Sequence, residues 1–220
     1  MEVLFFLKNR TAFIRNYYET ASAPFVEIVR KIEAEEPPYV PDFYEHGDNG
    51  PAFELEWNEA QDSLQMLGLS CVSLLSDSLK LYFTTWQKLL RLTPTKEGKK
   101  LFESGFLVAY RAFFEHRLKL NWLDGPADLD IIEQVILARN RAAHPEDISS
   151  IPATHALKDL KKHPSPFFAY MNEFEKDVEY TYWTPRLHIS KETLFDAIKQ
   201  VEVLAEWLEE KMFAAKYNRI

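Results

Sequence analysis

Most of this chain repeats apolar residues at three- and four-residue steps, the spacing that places them on one side of an α-helix. The repeat is clearest from about residue 190 to 216, where one face carries Leu194, Ile198, Val201, Leu204 (or Ala205) and Leu208. Only 6 of the 220 residues are glycine, too few for the hairpins and bulges of an all-β protein. The pattern therefore predicts an all-α helical bundle.

Prolines and glycines divide this repeat into segments. We expect helices over residues 2–20, 24–36, 53–92, 97–123, 127–143 and 190–216, with a bend in the third at Gly68. The first is expected to bury Leu4, Leu7, Phe13 (or Ile14) and Tyr17. Prolines predict irregular structure over residues 37–51 and 145–166, and helical potential returns briefly near 167–178. Since the chain shows no repeat and no low-complexity segment, we expect one domain over residues 1–220.

The charge balance limits the partners that such a bundle can have. A net charge of −8 and a pI near 5.3 disfavour a protein that coats nucleic acid broadly, although a local pocket can still grip one phosphate. Cys71 is the only cysteine, which excludes an intramolecular disulfide and a cysteine-based zinc site, and its apolar neighbours predict a small core residue. Neither a secretory signal nor an uninterrupted apolar run of about 20 residues is present, so we expect a cytoplasmic protein.

The segment ILARNRAAHPED, residues 136–147, contains an arginine on an unexpected side of a helix. If Ile132 is set at zero and each residue advances about 100°, the apolar residues of this helix fill an arc from about −120° to +40°. Arg139 lies within this arc at about −20°, Asn140 borders it, and Arg141 lies on the solvent side at about 180°. Arg139 is therefore predicted to point into protein.

A guanidinium placed there needs an anionic partner, because an unpaired buried charge is very costly. Three partners are open: an internal carboxylate, a carboxylate across a subunit interface, or a bound phosphate. The internal candidates in the sequence are Glu115 and an acid of the long 53–92 helix such as Glu54.

His144 directly precedes Pro145, which biases the histidine away from helical geometry. We therefore expect the helix to end at or just before His144. A helix end between the two residues would let the imidazole turn towards the guanidinium of Arg139, from which it would diverge by about 140° on a continuous helix. The helix dipole would also favour a protonated imidazole there, as a general acid requires.

The spacing of Arg139 and His144 is not unique in this chain. Arg111 and His116 in RAFFEH are also five residues apart. Arg111 lies well away from the aromatic stripe of its helix, and His116 is predicted to be in the middle of that helix. We interpret this second pair as a structural coincidence, whereas Arg139 faces inward, is followed by an asparagine and lies close to a helix end.

The run Arg139-Asn140-Arg141-Ala142-Ala143-His144 resembles the signature of the HEPN superfamily, in which an arginine, a polar residue and a short spacer precede a histidine. HEPN domains are small α-helical bundles that usually form dimers, with the motif near the end of a core helix facing its twin. The resemblance implies a HEPN-like bundle with a long irregular loop after the motif helix.

Many HEPN proteins are metal-independent endoribonucleases of toxin–antitoxin and defence systems. The resemblance implies that His144 is the acid/base group for attack of the ribose 2′-hydroxyl on the adjacent phosphodiester. It implies that Arg139 stabilises charge on phosphorus and that Asn140 orients the site. It also implies a homodimer, RNA as the substrate, no metal or other cofactor, and a possible cognate antitoxin or partner protein.

Beyond the motif, the basic residues expected to contact RNA are Arg141, Arg117, Lys119, Lys158, Lys161 and Lys162, with His163 beside the last of them. A solvated surface explains the 158–163 run equally well. Other HEPN proteins have lost activity and serve as interaction or nucleotide-binding modules, which is the alternative function. In that case Arg139 ties subunits together and His144 only ends a helix.

Overall fold

The structure is a computed structural model that describes residues 2–41, 51–93, 96–143, 157–169 and 187–217. The α-helices among them are α1 (Val3–Glu33), α2 (Glu54–Leu89), α3 (Lys96–Leu101), α4 (Phe106–Leu118), α5 (Leu129–Ala143), α6 (Leu157–Lys162) and α7 (Lys191–Tyr217). Two short 3-10 helices cover Phe102–Ser104 and Trp122–Asp124, and the one extended pairing in these ranges is an isolated bridge between Ala169 and Leu187. The all-α prediction is confirmed.

Helix α1 continues through Pro24, where the sequence predicted two separate helices. A proline inside a helix leaves the carbonyl four residues earlier without its N–H partner. Here that carbonyl belongs to Thr20, and both residues are exposed, so water can satisfy it. Pro24 is therefore tolerated on the solvent side of the helix.

The buried face of α1 is also rotated from the predicted one. Leu7 and Ile14 are buried as expected, but Phe13 is 61% exposed and Tyr17 is 41% exposed. Their places in the core are taken by Thr11 and Tyr18, among others. Thr11 fits there because its hydroxyl hydrogen-bonds Glu202 of α7.

Helix α2 runs without a break through Gly68, the residue where the sequence predicted a bend. A β-carbon at position 68 would lie 2.6 Å from Cβ of Ile189. The glycine is required because the segment leading into α7 crosses α2 there at very short range. Its role is close packing.

The predicted helix over residues 97–123 is divided into α3, a 3-10 turn, α4 and a second 3-10 turn. Gly105 has a φ of 117°, a backbone conformation that glycine adopts without strain and that interrupts the helix. Lys119, with a φ of 53°, ends α4 in the left-handed conformation. The break at residue 105 could be anticipated from its glycine, whereas Lys119 carries no such signal.

Helix α2 lies at the centre of the bundle and packs against α1, α5 and α7. Arg10 contacts Ser78, and Glu33 accepts a hydrogen bond from Trp57, so α1 and α2 are antiparallel. The core runs through all of the long helices and includes Cys71 and the whole predicted face of α7. Burial raises the pKa of the Cys71 thiol to about 11, which agrees with the predicted core position.

By length and composition α2 could also cross a membrane, and it is the one helix in the described ranges that meets both criteria. Of its most apolar window, 61% is buried inside the bundle. The central helix of a water-soluble protein has the same properties, so this helix alone is weak evidence for a membrane span.

Two glutamines hold the chain that follows α6 against the bundle. The side-chain oxygen of Gln134 on α5 accepts a hydrogen bond from the backbone N–H of Phe167. The side-chain oxygen of Gln65 on α2 accepts one from the backbone N–H of Ile189. The side-chain amide of Gln65 also lies 2.9 Å from Nδ1 of His188. Between these anchors the bridge from Ala169 to Leu187 brings the two ends of residues 170–186 together.

Part of the 145–166 region, which was predicted to be irregular, is helical, because α6 covers Leu157–Lys162. His163 follows this helix and is 2% exposed, with Nδ1 2.6 Å from a carboxylate oxygen of Asp130. The predictions for residues 145–156 and 170–178, and for the centre of the 37–51 loop at residues 42–50, fall outside the described residues.

Candidate active site

Arg139 lies just before the last described turn of α5, on the side that faces α2. Val135 and Ala138 on the same side of α5 are fully buried. The side chain of Arg139 is 35% exposed, and Nη2 is 3.8 Å from a carboxylate oxygen of Asp77 on α2. The helical wheel therefore identified the facing side correctly, but the guanidinium lies at the open edge between two helices and is not buried.

Asp77 is the internal carboxylate that the sequence left unidentified. Glu115 pairs instead with Arg111 on its own helix, and Glu54 lies at the far, N-terminal end of α2. Asp77 does have a signal in the sequence, because it is the only acidic residue between Asp62 and Glu97. A single carboxylate in the middle of a long apolar helix could have been selected as the partner on that basis.

Asn140 is exposed, and its side-chain oxygen accepts a hydrogen bond of 3.4 Å from Nη1 of Arg139. This contact is long for a hydrogen bond and connects neighbours in sequence, so it orients the guanidinium only weakly. Asp77 and Asn140 together leave Arg139 at the surface with one carboxylate and one amide oxygen beside it. Such an arginine can still donate hydrogen bonds to the oxygens of a phosphate.

His144 lies outside the described residues, directly after Ala143, where the described part of α5 ends. Its orientation relative to Arg139 therefore stays a prediction. The described end of α5 is nevertheless informative, because Arg139 lies just before the last described turn, only five residues before the histidine.

Arg141 does not lie fully on the solvent side, where the wheel placed it. It is partly buried and is not without a partner, whereas Asn140, expected at the border, is the exposed residue of the two. Asn140 and Arg141 are both in the last described turn of α5. A rotation of about 100° per residue places the backbone, but it does not predict how a long arginine side chain folds back onto its helix.

The other basic residues expected to contact RNA are in two places. Arg117 hydrogen-bonds the carbonyl of Thr93, beyond the C-terminal end of α2, and the exposed Lys119 follows α4. Asp77 lies 12 residues before the end of α2 at Leu89, or about 18 Å along the helix. Arg117 and Lys119 are therefore separated from Arg139 along the bundle.

The basic run after the motif packs near the first half of α5. Lys162 pairs with Glu133, Lys161 is exposed, and the side chain of Lys158 lies outside what the structure describes. His163, beside them, is buried against Asp130. The structure thus places Lys161 and Lys162 closer to the motif helix than Arg117 and Lys119, and it removes His163 from the candidate RNA surface.

No family model, curated protein or solved structure matches this chain. Within the described ranges, no group of three or more histidine, cysteine, aspartate or glutamate side chains is arranged to hold a metal ion. The candidate site therefore consists of Arg139, Asn140 and Asp77 at the end of α5, together with the histidine that follows.

Proposed function

We propose that this protein is a HEPN-type endoribonuclease that acts as a homodimer and needs no metal ion. In this proposal His144 removes the proton of the ribose 2′-hydroxyl, whose oxygen then attacks the adjacent phosphorus. The bond from phosphorus to the 5′-oxygen breaks, and that oxygen receives a proton from a protonated His144 imidazole. The products are a 2′,3′-cyclic phosphate and a free 5′-hydroxyl.

The observation that carries the proposal is the exposed setting of Arg139. Its guanidinium is held at the edge of α2 by a carboxylate 3.8 Å away, and both side chains of this pair are in contact with solvent. Exposed ion pairs of this kind contribute about 0–1 kcal/mol. A phosphate that offers two oxygens can therefore compete with Asp77 for the guanidinium at little cost.

The second candidate function is a HEPN-like module without catalysis, which binds a protein or a nucleotide. It is favoured by the same contact, because Asp77 already neutralises Arg139 within one chain. The distance of Arg117 and Lys119 from the motif also favours it, since these residues lie beyond the end of α2, about 18 Å along the helix from Asp77.

The deciding experiment is incubation of the purified protein with single-stranded RNA in the presence of a metal chelator. We expect cleavage that leaves 2′,3′-cyclic phosphate ends, and we expect His144→Ala to abolish it. His116→Ala is the matched control, because His116 belongs to the second pair with the same spacing and is exposed. Equal cleavage by the parent and by His144→Ala would rule out catalysis by this motif.

Sedimentation of the same variants separates loss of chemistry from loss of assembly. A dimer that survives in His144→Ala, together with lost cleavage, supports the enzyme. A dimer without cleavage in the parent protein supports the non-catalytic module.

A further inference from the structure

An open groove runs between α1 and α2 on the face of the bundle that lacks a covering helix in the described ranges. We call it the α1–α2 groove. It has a volume of about 440 Å³ and is lined mainly by Phe6, Arg10, Phe13, Ile14, Leu74 and Ser78. Phe6 and Phe13 are 55% and 61% exposed, which is unusual for side chains of this size.

The apolar character continues along α1 beyond the groove. Phe13 stacks on Tyr17 with ring centroids 6.0 Å apart and an interplanar angle of 2°. From Phe6 to Tyr17 the exposed aromatic side chains cover about 16 Å of the helix, or three turns. An exposed apolar strip of this length indicates a surface that another protein covers.

A single oriented cation lies within the groove. Nε of Arg10 donates a hydrogen bond of 3.0 Å to Oγ of Ser78, and that hydroxyl in turn donates to the carbonyl of Leu74. Ser78 is 1% exposed, so it fixes one edge of the guanidinium from beneath.

The ion pairs of the described residues distinguish Arg10 from most other arginines. Arg15, Arg30, Arg111 and Arg139 each pair with a carboxylate of the bundle. Arg10 has no carboxylate within ion-pair distance in the described part of the chain, although the protein carries a net charge of −8. The groove thus combines apolar walls with a positive charge that its own chain does not neutralise.

We propose that the α1–α2 groove binds an acidic amphipathic helix of another protein. Such a helix presents apolar side chains at steps of three and four residues, which fit between two antiparallel helices. An aspartate or glutamate at the border of its apolar face meets the guanidinium of Arg10.

The chemistry of the groove favours this occupant over a nucleic acid or a second copy of the chain. A nucleic-acid strand requires several cations along its backbone, and the groove has one. A second copy that pairs through this same face would bring two Arg10 guanidinium groups into one interface, whereas an acidic helix neutralises the one that is there.

The proposal is tested with two labelled peptides of about 16 residues, long enough for four helical turns. Both carry leucine on one face; one has glutamate at the borders of that face, and the other has lysine. Binding to the full chain is measured by fluorescence anisotropy. We expect the glutamate peptide to bind about tenfold more tightly or better, and Arg10→Glu to reverse the preference.

Matched variants control for loss of structure. Arg30→Gln neutralises an exposed arginine of the same helix at a distance from the groove, and it should leave binding unchanged, whereas Arg10→Gln should weaken binding of the glutamate peptide. Phe13→Asp should remove binding of both peptides, with helix content checked by circular dichroism.

Three outcomes would overturn the proposal. One is equal binding of the two peptides to the parent protein. Another is binding that survives Phe13→Asp in a folded variant. The third is a dimer of the parent chain that Phe13→Asp dissociates, which would assign the groove to a second copy.

Discussion

Two segments of this protein have an arginine and a histidine five residues apart, and the structure places them in different surroundings. Arg111 pairs with Glu115 one turn further along the same helix, and Glu115 also accepts a hydrogen bond from the backbone N–H of Trp122. Arg139 reaches across to Asp77 on another helix and has no shorter contact with a carboxylate in the described residues.

The difference shows that spacing alone does not define a functional arginine. Glu115 connects α4 with the turn that follows it through the N–H of Trp122, and Arg111 pairs with this glutamate within the helix, so the carboxylate has a structural role. The pair of Arg139 and Asp77 is longer and more exposed, and neither partner has a second structural contact beyond the neighbouring Asn140. Because the contact between Arg139 and Asp77 is long and exposed, a ligand can displace it at little cost in stability.

The largest effect that separates the two segments should come from the arginines themselves. We expect Arg139→Ala to lower the rate of RNA cleavage by about 100-fold or more, since removing one donor to a developing anion has an effect of this size. Arg111→Ala should change the rate by less than about twofold, once both variants are shown to be folded. Equal losses in the two variants would contradict a special role for Arg139.

The next effect concerns stability, where the larger change is expected in the Arg111 segment and the smaller one in the Arg139 segment. We expect Glu115→Ala to lower the free energy of unfolding by about 1 kcal/mol, because Arg111 and the N–H of Trp122 both lose an acceptor. Asp77→Ala should change it by about 0.5 kcal/mol or less, as for other exposed pairs. Urea unfolding of the two variants measures both values. A larger loss of unfolding free energy in Asp77→Ala would show that the contact between Asp77 and Arg139 has the structural role instead.

His188 is a third histidine, and its effect on stability at low pH has to be distinguished from the pH dependence of cleavage. Burial lowers the pKa of His188, and its Nδ1 accepts a hydrogen bond from the side-chain amide of Gln65 when the ring is neutral. Between the native pKa and the ordinary value near 6.5, the unfolded chain therefore binds more protons than the native protein. Stability from this group is complete above about pH 6.5 and decreases as the pH falls through the native pKa.

We therefore expect the parent protein to lose more unfolding free energy than His188→Asn between pH 7.5 and pH 5. Urea unfolding at the two pH values measures this difference. If the two proteins respond equally, His188 does not contribute to the acid sensitivity, and a decrease in cleavage at low pH can be assigned to the motif directly.

The smallest effect should follow from neutralising the partner of Arg139. Asp77→Asn removes the competing charge but keeps the shape of the side chain, so we expect RNA to bind a few-fold more tightly at low salt. Glu115→Gln is the matched change in the other segment and should leave RNA binding unaltered. Weaker RNA binding by Asp77→Asn would indicate that the carboxylate positions the guanidinium for its substrate.

The sequence predicted those parts of the fold that depend on local periodicity. The apolar face of α7 agrees with the structure residue by residue, because every apolar position on that face is buried in the core. In α1 the aromatic residues led to the wrong prediction of which face of the helix is buried. Phe13 and Tyr17 follow a helical repeat as regular as that of the buried residues, and periodicity does not show which of two apolar stripes faces the core.

Contacts between distant segments were not accessible to this reasoning. Gly68 was interpreted as a bend because a glycine in a helix usually lowers its stability, and the sequence did not show its close approach to Ile189, 121 positions later in the chain. The partner of Arg139 was missed for a related reason, since the sequence does not show which part of the long helix lies beside α5, although Asp77 is the only acid between Asp62 and Glu97. In both cases a tertiary contact determined the outcome.

The pairing of Ala169 with Leu187 has a consequence for how the protein can be engineered. Because the residues on either side of 170–186 meet at this bridge and are anchored by Gln134 and Gln65, a short connection is long enough to join Ala169 to Leu187. A short glycine-containing turn should therefore replace it without shifting α5 or α7. A fluorescent reporter or an affinity tag inserted at the same place should leave the bundle assembled.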